Sequence, residues 1–401
     1  MLKEKMLVPQ LRFPEFEGEW VEYKLDSLLK FKNGINASKE DYGYGYKFIN
    51  VLDIIQNDFI TYDKIRGEVN VSKEIFEKNL VQYGDILFQR SSETRDEVGQ
   101  SNVYLDKDNN ATFGGFVIRG KKIGSYEPFF FHLLLKSSTA RQEITTKSGG
   151  STRFNVGQDI LSSIKLLFPI LKEQQKIANF LTAIDNRIQT LEKKETLLEQ
   201  YKKGVMQKIF KQELRFKDDT STTLTASDEK AFPEWVERML GGLSKIKTGK
   251  LDANAMIQNG KYRFYTCAKY FYYINDYAFD TEALLVSGNG ANVGYIHYFK
   301  GKFNAYQRTY ILDSFEENIF YIKYYLKKFL AARIDREKKD GNTPYIVLST
   351  LKDMLIKIPC LEEQTKIANF LSSIDKNIAL VTKKIEHTKT YKKGLLQQMF
   401  V

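Results

Sequence analysis

Three histidines, His132, His297 and His387, and two cysteines, Cys267 and Cys360, are all that the chain offers for metal binding or thiol chemistry, and they are scattered. With no CxxC pair and no clustered histidines, neither a zinc site nor a disulfide framework is expected, and a reducing cytoplasm fits. A phosphate-gripping Gly-x-x-x-x-Gly-Lys-[Ser/Thr] loop is absent. Gly288-Asn289-Gly290-Ala291-Asn292-Val293-Gly294 follows a strand-like run but leads into another one, so it reads as a turn. Methyl transfer to a nucleobase amine calls for Asn or Asp before paired prolines. The chain has no Pro-Pro, and Asn342-Thr343-Pro344-Tyr345 reads as a turn. Binding, with no catalytic residue, metal or cofactor of its own, is what these residue types leave.

The elements that would position binding residues come from a chain of 401 residues, long enough for two or more folding units. Hydrophobic residues at 42% and charged residues at 28% are ordinary globular values. The formal charge of +11 is uneven: residues 1–168 hold 23 basic and 23 acidic side chains, 169–212 give 9 and 5, 213–358 give 22 and 18, and 359–401 give 7 and 4. A broad basic surface is therefore not expected on the first 168 residues, and any polyanion contact there must use a local cluster. Residues 1–20 have no apolar core of a signal peptide, and the greasiest run, Phe129 to Leu135, is too short to cross a membrane.

The chain is duplicated. The run Pro169 to Phe210 returns as Pro359 to Phe400 without a gap, and half of its 42 positions are identical. Upstream, Phe13-Pro14-Glu15 and Trp20-Val21-Glu22 return as Phe232-Pro233-Glu234 and Trp235-Val236-Glu237. Each repeated run predicts one long helix. Ile177, Leu181, Ile184, Ile188, Leu191, Glu195, Leu198, Lys202, Val205 and Ile209 follow alternating steps of four and three, as do Ile367, Leu371, Ile374, Ile378, Val381, Ile385, Thr388, Lys392, Leu395 and Met399 in the second copy, eight of ten apolar in each. Two stripes in one register are expected to pack on each other as an antiparallel pair that spaces two domains. The segments between read as α+β. Lys47 to Ile54, Asp85 to Phe88, Gly115 to Ile118, Ala283 to Val286 and Tyr295 to Phe299 are strand-like, and Pro128 to Lys136 and Ile319 to Ile334 are helical. Lys211 to Ala231 reads as a solvated connection between the halves.

Two unlike domains, each followed by a Pro-x-Leu-x-Glu-Gln-x-Lys-Ile-Ala helix ending in Tyr-Lys-Lys-Gly, resemble the specificity subunit of type I restriction-modification systems. The motif residues are Leu171, Glu173, Gln174, Lys176, Ile177 and Ala178 with their second copies, the opening Leu11 to Trp20, and Gly149-Gly150-Ser151-Thr152. The second half has Gly341-Asn342-Thr343 in place of the Gly-Ser-Thr loop. The resemblance implies an α+β protein with pseudo-two-fold symmetry: a target-recognition domain at 1–168, a spacer helix at 169–212, a second recognition domain at 213–358 and a second helix at 359–401. It implies a non-catalytic, cytoplasmic subunit whose two domains read the two parts of a split, asymmetric site on double-stranded DNA. Methylation would then belong to two partner subunits using S-adenosylmethionine, and cleavage to restriction subunits using ATP and magnesium.

Base edges in the major groove are read by Arg, Lys, Asn and Gln, best carried on loops at the end of a sheet. That selects Gln89, Arg90, Ser91 and Arg95 after the strand-like run 85–88, and Arg153 and Asn155 beside the Gly-Ser-Thr loop. In the second half it selects Ser287, Asn289 and Asn292 after 283–286, with Gln307, Arg308 and Thr343. The rival reading is a coiled-coil scaffold that joins two protein-binding domains and touches no nucleic acid. A nuclease or methyltransferase with unrecognised motifs is a third.

Overall fold

The computed structural model describes residues 8–217, 224–225, 232–337 and 344–401. It divides into two compact units, one of residues 1–190 with 384–401 and one of residues 191–383. Each packs a central β-sheet against helix, and the two long repeated helices, Leu171–Phe210 and Leu361–Gln398, contribute one segment to each unit.

In the first unit the central sheet runs Leu29–Asn33, Val117–Lys122, Ile86–Gln89, Ser101–Val103, all neighbours antiparallel. Every residue of Ile86–Gln89 is buried, as a strand with both faces covered requires. Helix Pro128–Leu135, with Pro at its first turn and Glu127 capping it, lays Phe130, Phe131 and Leu134 into the core. The second unit repeats this order in a longer six-stranded sheet: Lys245–Thr248, Thr309–Asp313, Phe279–Ser287, Ile296–Ala305, Tyr262–Tyr265, Tyr272–Ile274. Helix Ile319–Glu337 takes the place of Pro128–Leu135. In both units a two-stranded ribbon closes the domain: Val21–Lys24 pairs with Lys165–Phe168, and Val236–Met239 with Leu355–Ile358.

The long helices begin beyond Pro169 and Pro359, which cannot extend a helix backwards. In the first unit Ile177, Leu181, Ile184 and Ile188 are buried in one cluster with Leu395, Met399 and Phe400. In the second, Val205, Met206, Ile209 and Phe210 share a cluster with Ile367, Leu371 and Ile374. Val381 and Ile385 are also buried, while Leu191, Leu198 and Ile378 are half-buried. Direction follows from polar pairs in the second unit: Thr382 bonds Glu195 and Lys202 bonds Asp375, so advancing along one helix means retreating along the other. In the first unit Lys392 bonds Asp185, the repeat-equivalent pair with the helices exchanged. Two lysines in the seams thus each pair with a carboxylate from the facing helix.

The start of each long helix is anchored by a buried carboxylate. Glu173 is fully buried and receives the Arg12 guanidinium through Nε at 2.8 Å and Nη2 at 2.7 Å, and Trp20 Nε1 at 3.4 Å. Glu363, equally buried, receives Arg215 at 3.1 and 2.8 Å and Trp235 Nε1 at 2.9 Å. The next residue joins the helix to its domain: Gln174 accepts from Glu127 N–H at 3.0 Å and Gln364 from Asn318 N–H at 2.9 Å. Each glutamine also donates to the carbonyl of the preceding proline.

Three expectations need correction. Lys47 to Ile54 is not one strand, because strand Tyr42–Ile49 ends at Asn50, whose N–H donates to Asp53 Oδ2 at 2.8 Å in the first turn of helix Val51–Gln56. Gly115 to Ile118 is a turn that enters strand Val117–Lys122. Lys211 to Ala231 is not wholly solvated: Phe216 is buried beside Phe370, and Arg215 holds Glu363. The polar stretch 218–223 and the residues 226–231 lie outside the described residues.

Removing Arg215 strands a buried carboxylate, and breaking such a pair costs about 3–5 kcal/mol. Arg215→Ala should lower the thermal midpoint by several degrees, with Arg215→Lys between it and the parent because an ammonium lacks the planar fork. An unchanged midpoint for Arg215→Ala would refute the anchor.

His132 supplies a pH test. It is fully buried, its Nδ1 has no hydrogen-bond partner, and burial first, then Lys136 and Lys392, hold its pKa well below 6.5. The unfolded chain takes up this proton near pH 6.5 and the folded chain does not, so stability is lost as pH falls below about 6.5. Urea midpoints from pH 7.5 to 5 should fall more for the parent than for His132→Leu; parallel curves would refute it.

Candidate nucleic-acid interface

Sheet order places the same three pieces of chain around the end of the central strand in each unit. In the first, strand Ile86–Gln89 ends at Arg90, whose N–H donates to Phe116 O at 3.0 Å and whose carbonyl accepts from Val156 N–H at 3.0 Å. Ser91 pairs with Asn155 and Ser92 with Phe154. Gly150, at φ +107°, lets the preceding loop fold so tightly that a Cβ there would lie 2.1 Å from Arg153 O. Gln89, Arg90, Ser91, Arg153 and Asn155, far apart in sequence, are therefore neighbours. Gln89, Ser91, Phe116 and Arg153 line a cleft of about 370 Å³ together with Glu93 and Glu97. Arg90, Arg95 and Arg153 are exposed, with the Arg95 guanidinium 5.1 Å from the Phe154 ring.

In the second unit strand Phe279–Ser287 ends at Gly288, whose N–H donates to Arg308 O at 2.8 Å and whose carbonyl accepts from Ile346 N–H at 2.7 Å. Asn289 bridges to Tyr345. These bonds match those of the first unit one for one, so Gly288 stands where Arg90 does, Arg308 where Phe116 does, and Tyr345 where Asn155 does. The hairpin loop 266–271 joins this end of the sheet: Asn292 Nδ2 donates to Cys267 O at 3.0 Å and His297 Nε2 to Ala268 O at 2.9 Å.

The sequence-selected residues divide by exposure. Arg90, Arg95, Arg153 and Arg308 are exposed cations, and Asn289 is half-buried. Gln89 and Ser287 are buried, because the last residue of a central strand still points into the layers; Gln89 Oε1 and Ser287 Oγ have no hydrogen-bond partner among the described residues. Asn155 accepts from Ser91 Oγ, Gln307 donates to Asp252, and Asn292 holds the hairpin loop, so part of this polar set is engaged within the domain. Thr343 lies outside the described residues. Missed from sequence are Phe116, 67% exposed, and Tyr345, Lys269 and Tyr270, all exposed on these same loops. Tyr270 and Lys269 carry a readable signal, a tyrosine- and lysine-rich run from 261 to 277. Phe116 has none, since it reads as strand.

Each unit carries one α+β domain on segments of both long helices, with one loop cluster at the end of its central strand. Residues 17–200 and 233–389 both match the Type I restriction modification DNA specificity domain, and the chain belongs to that family. It is 39% identical over 141 residues to the type I restriction enzyme EcoDI specificity subunit of Escherichia coli, an overlap of 35% of this chain and 31% of that subunit. Against the MjaIX specificity subunit of Methanocaldococcus jannaschii it is 23% identical over 409 residues, covering 95% of this chain and 92% of the other. The crystal structure of the S subunit from M. genitalium shares the fold, with a TM-score of 0.61 at 17% identity over 98% of this chain and 99% of that one. So does the HsdS subunit from Thermoanaerobacter tengcongensis, with a TM-score of 0.51 at 15% identity over 95% and 96%. Among the described residues no helix is long and apolar enough to cross a membrane.

Residues 1–168 carry no net charge, and beside this strand end Arg90, Arg95 and Arg153 are exposed cations. Changing Arg90, Arg95 and Arg153 together to Ala should cost roughly 1–3 kcal/mol per base-reading residue, or shallow the salt dependence by about one per phosphate contact. Binding of the assembled complex to duplexes across a salt series checks this; unchanged affinity and slope would exclude the cluster.

Proposed function

We propose that this chain is the non-catalytic subunit that gives a type I restriction-modification complex its sequence specificity, reading a bipartite, asymmetric site on double-stranded DNA. The target-recognition domain at 1–168 reads one part and that at 213–358 the other, while the helices at 169–212 and 359–401 act as the spacer. Two methyltransferase subunits, using S-adenosylmethionine, modify the site, and restriction subunits driven by ATP with magnesium cleave; all of these cofactors belong to the partners. The complex works in the cytoplasm.

The observation that carries this reading is the contrast between frame and loops. The buried carboxylate anchor is the same in both units, Arg12 with Glu173 and Arg215 with Glu363. The exposed side chains at matching places are not: Phe116 against Arg308, Asn155 against Tyr345. A scaffold for one repeated partner would keep its loops alike; a reader of two different sequences must change them.

Replacing residues 20–168 with another first recognition domain of the family, and sequencing the methylated DNA made by the assembled methyltransferase, tests the reading. One half of the methylated site should change and the other should stay. A change in both halves would overturn independent reading, and a complex that binds no DNA in the parent would favour the scaffold.

A further inference from the structure

Matching hydrogen bonds put Phe116 and Arg308 at one place in two copies of the fold. Each precedes the strand beside the central strand, and each carbonyl accepts the N–H of the first residue beyond that strand, Arg90 or Gly288. The register agrees: Gln89 faces Val117 in the first unit and Ser287 faces Thr309 in the second. What the fold holds is the backbone; both side chains are left over. Phe116 is two-thirds exposed and the Arg308 guanidinium is exposed. Neither side chain has a hydrogen bond, ion pair or ring contact with a described residue, whereas Gln307 next to Arg308 is tied to Asp252.

Resting on the function proposed above, we infer that this equivalent position is a specificity-determining one in both domains, and that its two occupants read different base pairs. Arg308 presents a planar fork with free donors, the match for the O6 and N7 acceptors of guanine in the major groove. Phe116 has no donor or acceptor on its side chain, and the one apolar feature of the major groove is the C5 methyl of thymine. The second half-site therefore contains a guanine held by Arg308, and the first half-site a thymine whose methyl packs on Phe116. Beside Phe116 stand Arg90, whose N–H donates to the Phe116 carbonyl, and Arg153, which lines the same cleft together with Glu93 and Glu97; on these adjoining loops the two exposed arginines are the groups that would hold the DNA backbone, which an apolar contact alone would not. Near Arg308, the hairpin loop with Lys269 and Tyr270 fills that part.

The test changes single atoms of the DNA, so it does not depend on a variant folding. The complex of this chain with its methyltransferase subunits is titrated with duplexes carrying the methylated site. In one series each thymine of the first half-site is replaced in turn by uracil, which removes only the methyl; in the other each guanine of the second half-site is replaced by 7-deazaguanine, which removes only N7. One uracil position should weaken binding about fourfold, the worth of one buried methyl. One 7-deazaguanine position should weaken it about tenfold. Phe116→Ala should erase the first effect and leave the second, and Arg308→Ala the reverse. A complex that keeps its bipartite preference but is indifferent to both analogues overturns this assignment alone. A complex that binds all duplexes alike overturns the proposed function and the assignment with it. Sensitivity that survives in the matching Ala variant assigns the contact to another residue and also overturns it.

Discussion

Everything else in each unit hangs on a carboxylate that has no business being buried. Glu173 and Glu363 are wholly removed from water at the first turn of the long helices. An ionised carboxylate there is tolerable only because an arginine fork and an indole N–H meet it and the helix N-terminus favours negative charge. The partners come from the segment that leads into the domain, Arg12 and Trp20 in one unit, Arg215 and Trp235 in the other. The same few atoms thus fix where the domain's first strand starts, how the helix leaves it and, through Gln174 and Gln364, where the domain's own helix begins. A hydrophobic anchor of equal volume would hold the pieces together as firmly; the directed bonds of the fork also set their angle.

How much of this was legible depends on whether a feature is local. The long helices are, because ten consecutive seam positions repeat in two copies. The anchor is only half so. Trp20 and Trp235 stand out as repeated, but the arginine is hidden: Leu11-Arg12-Phe13 returns as Leu214-Arg215-Phe216, separated from Phe232-Pro233-Glu234 by an insertion that the first half lacks. The tripeptide recurs, but the polar residues that follow it read as a linker. Strand Tyr42–Ile49 reads too long at its end because Val51, Ile54 and Ile55 favour strand, while Asp53 Oδ2, accepting from Asn50 N–H, starts a helix there. Phe116 was illegible altogether, since whether an apolar residue beside a strand faces core or water depends on register, and register is set by the partner strand.

The two halves therefore separate what is held from what is free. Residues that bond inside a unit recur in kind: glutamate to arginine, glutamine to the next helix, aspartate to a lysine of the facing helix. The loops at the strand ends keep their backbone bonds and change their side chains. That division has an energetic reason. Backbone bonds of a loop can be satisfied by any residue, so the side chain can vary without leaving a buried group unpaired, whereas one change at Glu173 or its partners strands a charge. A frame that is costly to alter and a rim that is nearly free to alter is what lets a single duplicated chain carry two unlike surfaces. Net charge says little about the first unit for the same reason: with 23 basic and 23 acidic side chains on residues 1–168, position rather than sum decides the local field.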